Sequence, residues 1–217
     1  MELHALRKLV SSGEGSQLEF KRKAADPVKI MREVVAFANA KGGILLVGVN
    51  DDGVITGLKD AKGEAHVLED AIEKHCKPTI KYSIEYIKLN AKKNVLAIHV
   101  AESKEKPVFL IYNFYRQSGR AYLRVADRSV QSSRELRKIL KARTKAKEGS
   151  FIYGEHEQKL MKLLALEEKI DVTRFAEFAS ITRDKAAEIL VKLTIANVTE
   201  IHPGEQLDHY SLKESHE

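Results

Sequence analysis

Residues 14–57 read EGSQLEFKRKAADPVKIMREVVAFANAKGGILLVGVNDDGVITG, and the order of pieces in this stretch decides the fold. Leu18 to Lys23 predicts a strand, with Leu18 and Phe20 facing inward and Glu19, Lys21 and Lys23 lining the other face. Asp26-Pro27 opens a helix, with Asp26 as N-cap and Pro27 in the first turn. Ile30, Val34, Phe37 and Ala38 give that helix an apolar stripe. Gly42-Gly43 turns the chain into Ile44–Val49, whose unalternating apolar residues predict a central strand buried on both faces. Asn50-Asp51-Asp52-Gly53 reads as a hairpin turn, because Asp-Gly favours the positive φ angles such turns need, and Val54–Gly57 as a short returning strand.

On either side the same reading continues. Leu3, Leu6 and Val10 predict a leading helix ended by Ser11-Ser12-Gly13. Residues 62–76 look helical, with Ala65, Leu68, Ile72 and Cys76 on one face. Ile80, Tyr82, Ile84 and Tyr86 alternate with polar residues, which marks a strand with one wet face, and a turn at Asn90–Asn94 leads into a strand at Val95–Val100. The segment after Pro107, a turn at 117–120 and the strand Ala121–Val125 complete a first domain, followed by a helix with Ser132 as N-cap and Glu135 closing a capping box. Glu148-Gly149-Ser150 is the predicted boundary, giving domains 1–148 and 151–217. The second holds three helical segments and a hairpin, the order of a winged helix-turn-helix. The fold class is therefore mixed α/β with a small C-terminal domain.

Charge is divided unevenly between these domains. The chain of 217 residues has a net charge of +6, yet residues 1–150 carry 29 Lys/Arg against 18 Asp/Glu and residues 151–217 carry 8 against 13. A polyanionic partner would meet the first part, at +11, rather than the second, at −5. The single cysteine, Cys76, excludes an intrachain disulfide, and no N-terminal signal pattern or long apolar run is present, so a cytoplasmic protein is expected.

Several chemistries lack their signatures. Ala40-Lys41-Gly42-Gly43 has neither the glycine spacing nor the Lys-Ser/Thr pair of a P-loop, and it follows a helix instead of preceding one. No HExxH pairing supports zinc, and no G-x-S-x-G elbow supports a serine hydrolase. What remains is a set of three carboxylates, Glu14, Glu19 and Asp51. Oxygen ligands from separate elements suit Mg²⁺ or Mn²⁺, which would stabilise charge at a scissile phosphate, with Lys21 on a phosphate oxygen. Their convergence requires the chain to bend near Gly15. The alternative is that Asp51 is an ordinary turn residue and Glu19 pairs with Lys21 or Lys23. Candidate nucleic-acid contacts are Lys21, Arg22, Lys23, Lys41, Arg120, Arg124 and Arg128, with Arg134, Arg137 and Lys138 beyond them. Tyr112, Tyr115 and Tyr122 lie among these charges, either to stack on unpaired bases or as half-buried strand residues.

The strings EGSQLEFKRK, AFANAKGGILLVGVNDDGVITG, KPV and YLRV resemble the Schlafen/AlbA-like domain, a family described as DNA-binding, over about residues 11–143. The resemblance implies a mixed α/β fold related to the Alba nucleic-acid-binding proteins. Animal Schlafen nucleases enclose tRNA between two such lobes and cut it with a divalent ion at a three-carboxylate site, whose positions correspond here to Glu14, Glu19 and Asp51. This chain has one lobe, so a paired valley would need a homodimer. Bacterial relatives that add a winged helix are described as transcriptional regulators. Three readings stay open: a nucleic-acid-binding protein acting as a DNA-binding regulator, a metal-dependent endoribonuclease on structured RNA, and a protein that dimerises or recruits a partner through its acidic second domain.

Overall fold

The computed structural model describes residues 1–116, 118–144 and 153–214. They form two compact units, Met1–Gln131 and Ser132–Glu217. The boundary expected at Glu148-Gly149-Ser150 lies outside the described residues.

The first unit is built on a four-stranded sheet of order β1-β2-β5-β4, from β1 (Leu18–Lys21), β2 (Gly43–Val47), β4 (Tyr82–Lys88) and β5 (Asn94–Val100). Strands β1 and β2 are parallel, since helix α2 (Pro27–Asn39) carries the chain back between them, and the other neighbours are antiparallel. Asp26 caps α2 as its sequence predicts, its carboxylate accepting from Lys29 N at 3.0 Å, with Pro27 at the first turn. Helices α2 and α3 (Ala61–His75) cover one face of the sheet, packing Met31, Val34 and Leu68 on Leu45, Val47 and Ile98. Helix α1 (Leu3–Ser11) covers the other, where Leu6 and Val10 meet Phe20, Leu46, Val49 and Ala97. Strand β2 is thus buried on both sides, as expected of its apolar run.

Three short strands, β3 (Cys76–Lys77), β6 (Phe109–Asn113) and β7 (Ser118–Arg120), form a second sheet, and β8 (Tyr122–Val125) and β9 (Arg128–Gln131) a ribbon that packs on α2. The Phe-Ala-Asn-x-x-Gly-Gly string holds these layers together. Asn39 is buried; its amide donates to the carbonyls of Val108 and Tyr122, both at 2.9 Å, and accepts from Val108 N at 2.7 Å. Gly42 turns at φ +76°, and a Cβ there would stand 2.7 Å from the Val100 carbonyl oxygen.

Some sequence expectations shift in detail. Val54–Gly57 makes only an isolated bridge, Val49 to Ile55, because the backbone N–H groups of Thr56 and Gly57 both turn back to Gly48 O at 2.9 Å. The alternating strand begins at Tyr82 rather than Ile80, and Ile87 on its nominally wet face is buried beneath α1. The face of β1 that carries Glu19 is also not wet, since Glu19 itself is buried.

In the second unit α4 (Arg134–Thr144) packs against α7 (Arg183–Ile195), so the helix assigned by sequence to the first domain belongs here. Ser133 rather than Ser132 is its cap, accepting from Leu136 N at 3.0 Å. Helices α5 (Glu155–Leu166) and α6 (Val172–Ala179) precede α7, and β10 (Thr199–His202) pairs with β11 (His209–Leu212). Leu160, Phe175, Leu190 and Tyr210 are fully buried at their centre. Ile170 bridges Tyr210 through two backbone hydrogen bonds of 3.0 and 2.7 Å, adding a third extended segment beside the hairpin. No helix among the described residues is long and apolar enough to cross a membrane.

Candidate functional site

Two charged clusters stand out on the first unit. The first is the carboxylate corner. Gly15 N donates to Leu18 O at 2.9 Å, which folds the chain back at the position where the sequence required a bend. Glu14 returns beside β1, and its Oε1 accepts from Phe20 N at 2.8 Å. Burial pushes the Glu14 carboxyl above its ordinary range; the Phe20 hydrogen bond and the Lys21 charge oppose this, while Glu19 and Asp51 add repulsion. Glu19, Lys21 and Asp51 therefore each lie within electrostatic reach of Glu14. Among the described residues, however, no three Asp, Glu, His or Cys side chains stand close enough to share a metal ion.

Glu19 is already neutralised by protein cations. One oxygen pairs with Lys21 Nζ, and the other accepts from Arg124 Nη1 at 2.9 Å. Arg124 also donates to Glu33 at 2.6 Å and to Gly15 O at 2.7 Å, and its guanidinium lies 5.0 Å above the Phe37 ring. Its side chain is only 1% exposed. The expectation that Arg124 meets nucleic acid is thus corrected: it is an internal clamp joining β1, α2 and β8. Glu33 completes the clamp through Ser129 Oγ. The sequence reading missed Glu33, although its place on α2 one turn before Phe37 put it on the face turned towards β8.

The other predicted contacts are distributed differently. Lys21 is half-buried and held by Glu19 and by Phe20 O at 2.7 Å, whereas Arg22, Lys23, Lys41, Arg120 and Arg128 are exposed. Arg134, Arg137 and Lys138 belong to α4 and so to the second unit. Asp51 is exposed in its turn and makes no hydrogen bond or ion pair among the described residues.

The second cluster gathers around Tyr112 and Tyr122, whose hydroxyls hydrogen-bond at 2.9 Å. The Arg120 guanidinium lies 5.8 Å over the Tyr112 ring and the Arg32 guanidinium 6.0 Å over the Tyr122 ring. Burial, and then the bond to Tyr112, push the Tyr122 phenol above its ordinary value. Arg32 was not among the candidates from sequence, since a lone arginine on an amphipathic helix carries no signal of its own. Next to this cluster Tyr112 is 41%, Phe114 50% and Tyr115 97% exposed.

The N-terminal domain of a RecG-related protein (ATP-dependent DNA helicase) from Nitrosomonas europaea is 24% identical and superposes with a TM-score of 0.42, covering 60% of this chain and 90% of that one. The DIP2311 protein from Corynebacterium diphtheriae is 20% identical with a TM-score of 0.44, covering 84% of this chain but only 33% of its own length. The family model described as Schlafen, AlbA_2 matches residues 14–133, a span that contains β1, the Asn39 clamp and both charged clusters. That span is more than half of the chain, and the chain belongs to the Schlafen, AlbA_2 family.

Proposed function

We propose that this protein binds nucleic acid through its first unit and acts as a DNA-binding regulator. The observation that carries this reading is the charge of the first unit, whose residues 1–131 carry 22 Lys/Arg against 16 Asp/Glu, with Arg22, Lys23 and Lys41 exposed and the buried cation Arg124 paired internally with Glu19 and Glu33. Exposed Lys and Arg with no internal role are what phosphate contact requires. The second unit, with its α5-α6-α7-hairpin order and the Ile170 bridge, is read as a winged helix-turn-helix. Its α7 is a poor reader of DNA, since Lys192 and Lys185 both face Glu188, at 2.7 and 3.9 Å, and Asp184 faces Arg134 at 3.9 Å. We assign this unit to dimerisation, which would bring two basic units together. Polarisation titrations of duplex DNA at rising salt test the reading. Affinity should fall steeply with salt and should drop in Arg22→Ala/Lys23→Ala, whereas salt-independent or undetectable binding sinks it.

A second reading, a divalent-metal endoribonuclease acting on structured RNA such as tRNA, is favoured by one observation: Glu14 folds back beside β1, where burial first, and then the charges of Glu19 and Asp51, push its carboxyl above the ordinary range. Carboxylates that repel one another suit a divalent cation. Glu14 and Asp51 keep oxygens for such an ion, and Glu19 would serve only by giving up Lys21. Bound there, Mg²⁺ or Mn²⁺ would supply charge stabilisation at a phosphate. Incubation of the full chain with tRNA in Mn²⁺ or in chelator decides it. Cleavage lost in Asp51→Ala supports the reading, and intact tRNA in both conditions removes it.

A further inference from the structure

The two arginines and two tyrosines described above do more than pack. With Ser118 and Gly119, Arg32, Tyr112 and Arg120 line a cavity of about 300 Å³. No carboxylate lines it, and neither arginine forms a salt bridge among the described residues. Arg32 Nε is shielded from solvent without a hydrogen-bond partner. Arg124 Nε is shielded in the same way, but Arg124 is committed to Glu19 and Glu33, whereas Arg32 lines a cavity from which an acceptor can reach its guanidinium. The aromatic rings beneath both cations restrain them, which lowers the conformational cost of organising them at the moment of binding.

Shape and charge narrow the ligand. Two guanidinium groups meeting in a concave site match the several oxygens of a dianionic phosphate monoester better than the single charge of a diester. The Ser118 hydroxyl adds a donor to the lining. Small-molecule sites begin at roughly 300 Å³, so this cavity is large enough for one nucleotide. Tyr112, with Arg120 over its ring and much of its side chain exposed, offers a platform for a base.

We propose that this cavity binds a nucleoside through its terminal phosphate monoester, the phosphate on Arg32 and Arg120 and the base on Tyr112. The same chemistry is presented by a free nucleotide and by the phosphorylated end of a strand. The site needs no groove contact and stands independently of the DNA-binding reading.

The experiment uses the full chain and two arms. In calorimetry, AMP should bind roughly tenfold or more tightly than adenosine, as expected if charged hydrogen bonds worth about 1.5–3 kcal/mol are made to the phosphate. In polarisation assays, a 5′-phosphorylated oligonucleotide should outbind its 5′-hydroxyl twin by a similar factor. Success in the first arm alone identifies a free nucleotide, and success in the second alone identifies a strand end. Arg32→Gln and Arg120→Gln should each bring the successful ratio close to one. Arg120 is exposed, so its variant reports on the site even if Arg32→Gln unfolds, and circular dichroism checks both. Ratios near one for the wild-type chain in both arms overturn the proposal, and so does a ratio that survives in a folded Arg120→Gln. Because each readout is a ratio between two ends, it is unaffected by whether the underlying salt-dependent DNA affinity is strong or absent.

Discussion

The carboxylate corner and the arginine–tyrosine cavity lie on the same unit and use the same kinds of side chain, yet they handle charge in opposite ways. At the corner, Arg124 is buried and divides its donors among Glu19, Glu33 and the Gly15 carbonyl. In the cavity, Arg32 and Arg120 rest on aromatic rings, and no carboxylate among the described residues pairs with them. The first arrangement spends its charge on holding elements together, and the second keeps it for a visitor. Substitutions that treat the two alike should therefore give unlike results.

The largest effect is expected at Arg124. Arg124→Leu removes the cation and leaves Glu19 and Glu33 facing each other in a poorly solvated space. Breaking a buried pair on one side costs about 3–5 kcal/mol, which urea unfolding would register as a much lower midpoint. A loss below about 0.5 kcal/mol, typical of surface positions, would mean that Arg124 is not an internal clamp and would restore it as a nucleic-acid contact. Asn39→Leu comes next. It strands Val108 N–H and the carbonyls of Val108 and Tyr122, for a loss of about 2–4 kcal/mol by the same measurement. The cavity should behave otherwise: Arg120→Gln is expected to change stability by less than about 1 kcal/mol, since its side chain is exposed and closes no ion pair. If it unfolds the protein, the contrast between the two clusters is gone.

These differences also show what could be read in advance. The β1-α2-β2 order, the Asp26 cap and the doubly buried β2 follow from local chemistry, and the residues that cause them are neighbours in sequence. Even the bend at Gly15 was legible as a requirement. Arg124 was not, because an arginine in a strand looks the same whether it faces solvent or a pair of acids contributed from about a hundred residues away. Arg32 was missed for a related reason: its partners Tyr112 and Tyr122 sit on strands of two different sheets. Sequence put α4 in the first domain because the boundary signal it carries, Glu148-Gly149-Ser150, lies after the helix, whereas the buried Leu136, Ile139 and Leu140 belong to a helix that packs on α7 in the second unit. Periodicity fixes which face of an element is apolar, but not what will cover it.

The smallest effect, at Glu14, separates an unpaired acid from a metal ligand. Its carboxyl is raised above the ordinary value of 4.5, chiefly by burial. The folded chain therefore holds this proton more tightly than the unfolded chain does, and stability falls as pH rises from the ordinary value through the raised one. At neutral pH the ionised group is a net liability. Glu14→Gln keeps an oxygen to accept from Phe20 N and removes the charge that Glu19 and Asp51 repel. It should stabilise the chain slightly at pH 7, by no more than about 0.5 kcal/mol because solvent screens a partly exposed group. The advantage should vanish on acidification below the ordinary carboxylate range, as the wild-type group becomes neutral too. Thermal melts of both proteins across that range, with and without Mn²⁺, carry the test further. If the ion raises the wild-type midpoint and leaves Glu14→Gln unmoved, Glu14 is a ligand and the corner is a metal site. If the ion moves neither, the repulsion at Glu14 reflects only how β1 and the Asp51 turn are packed.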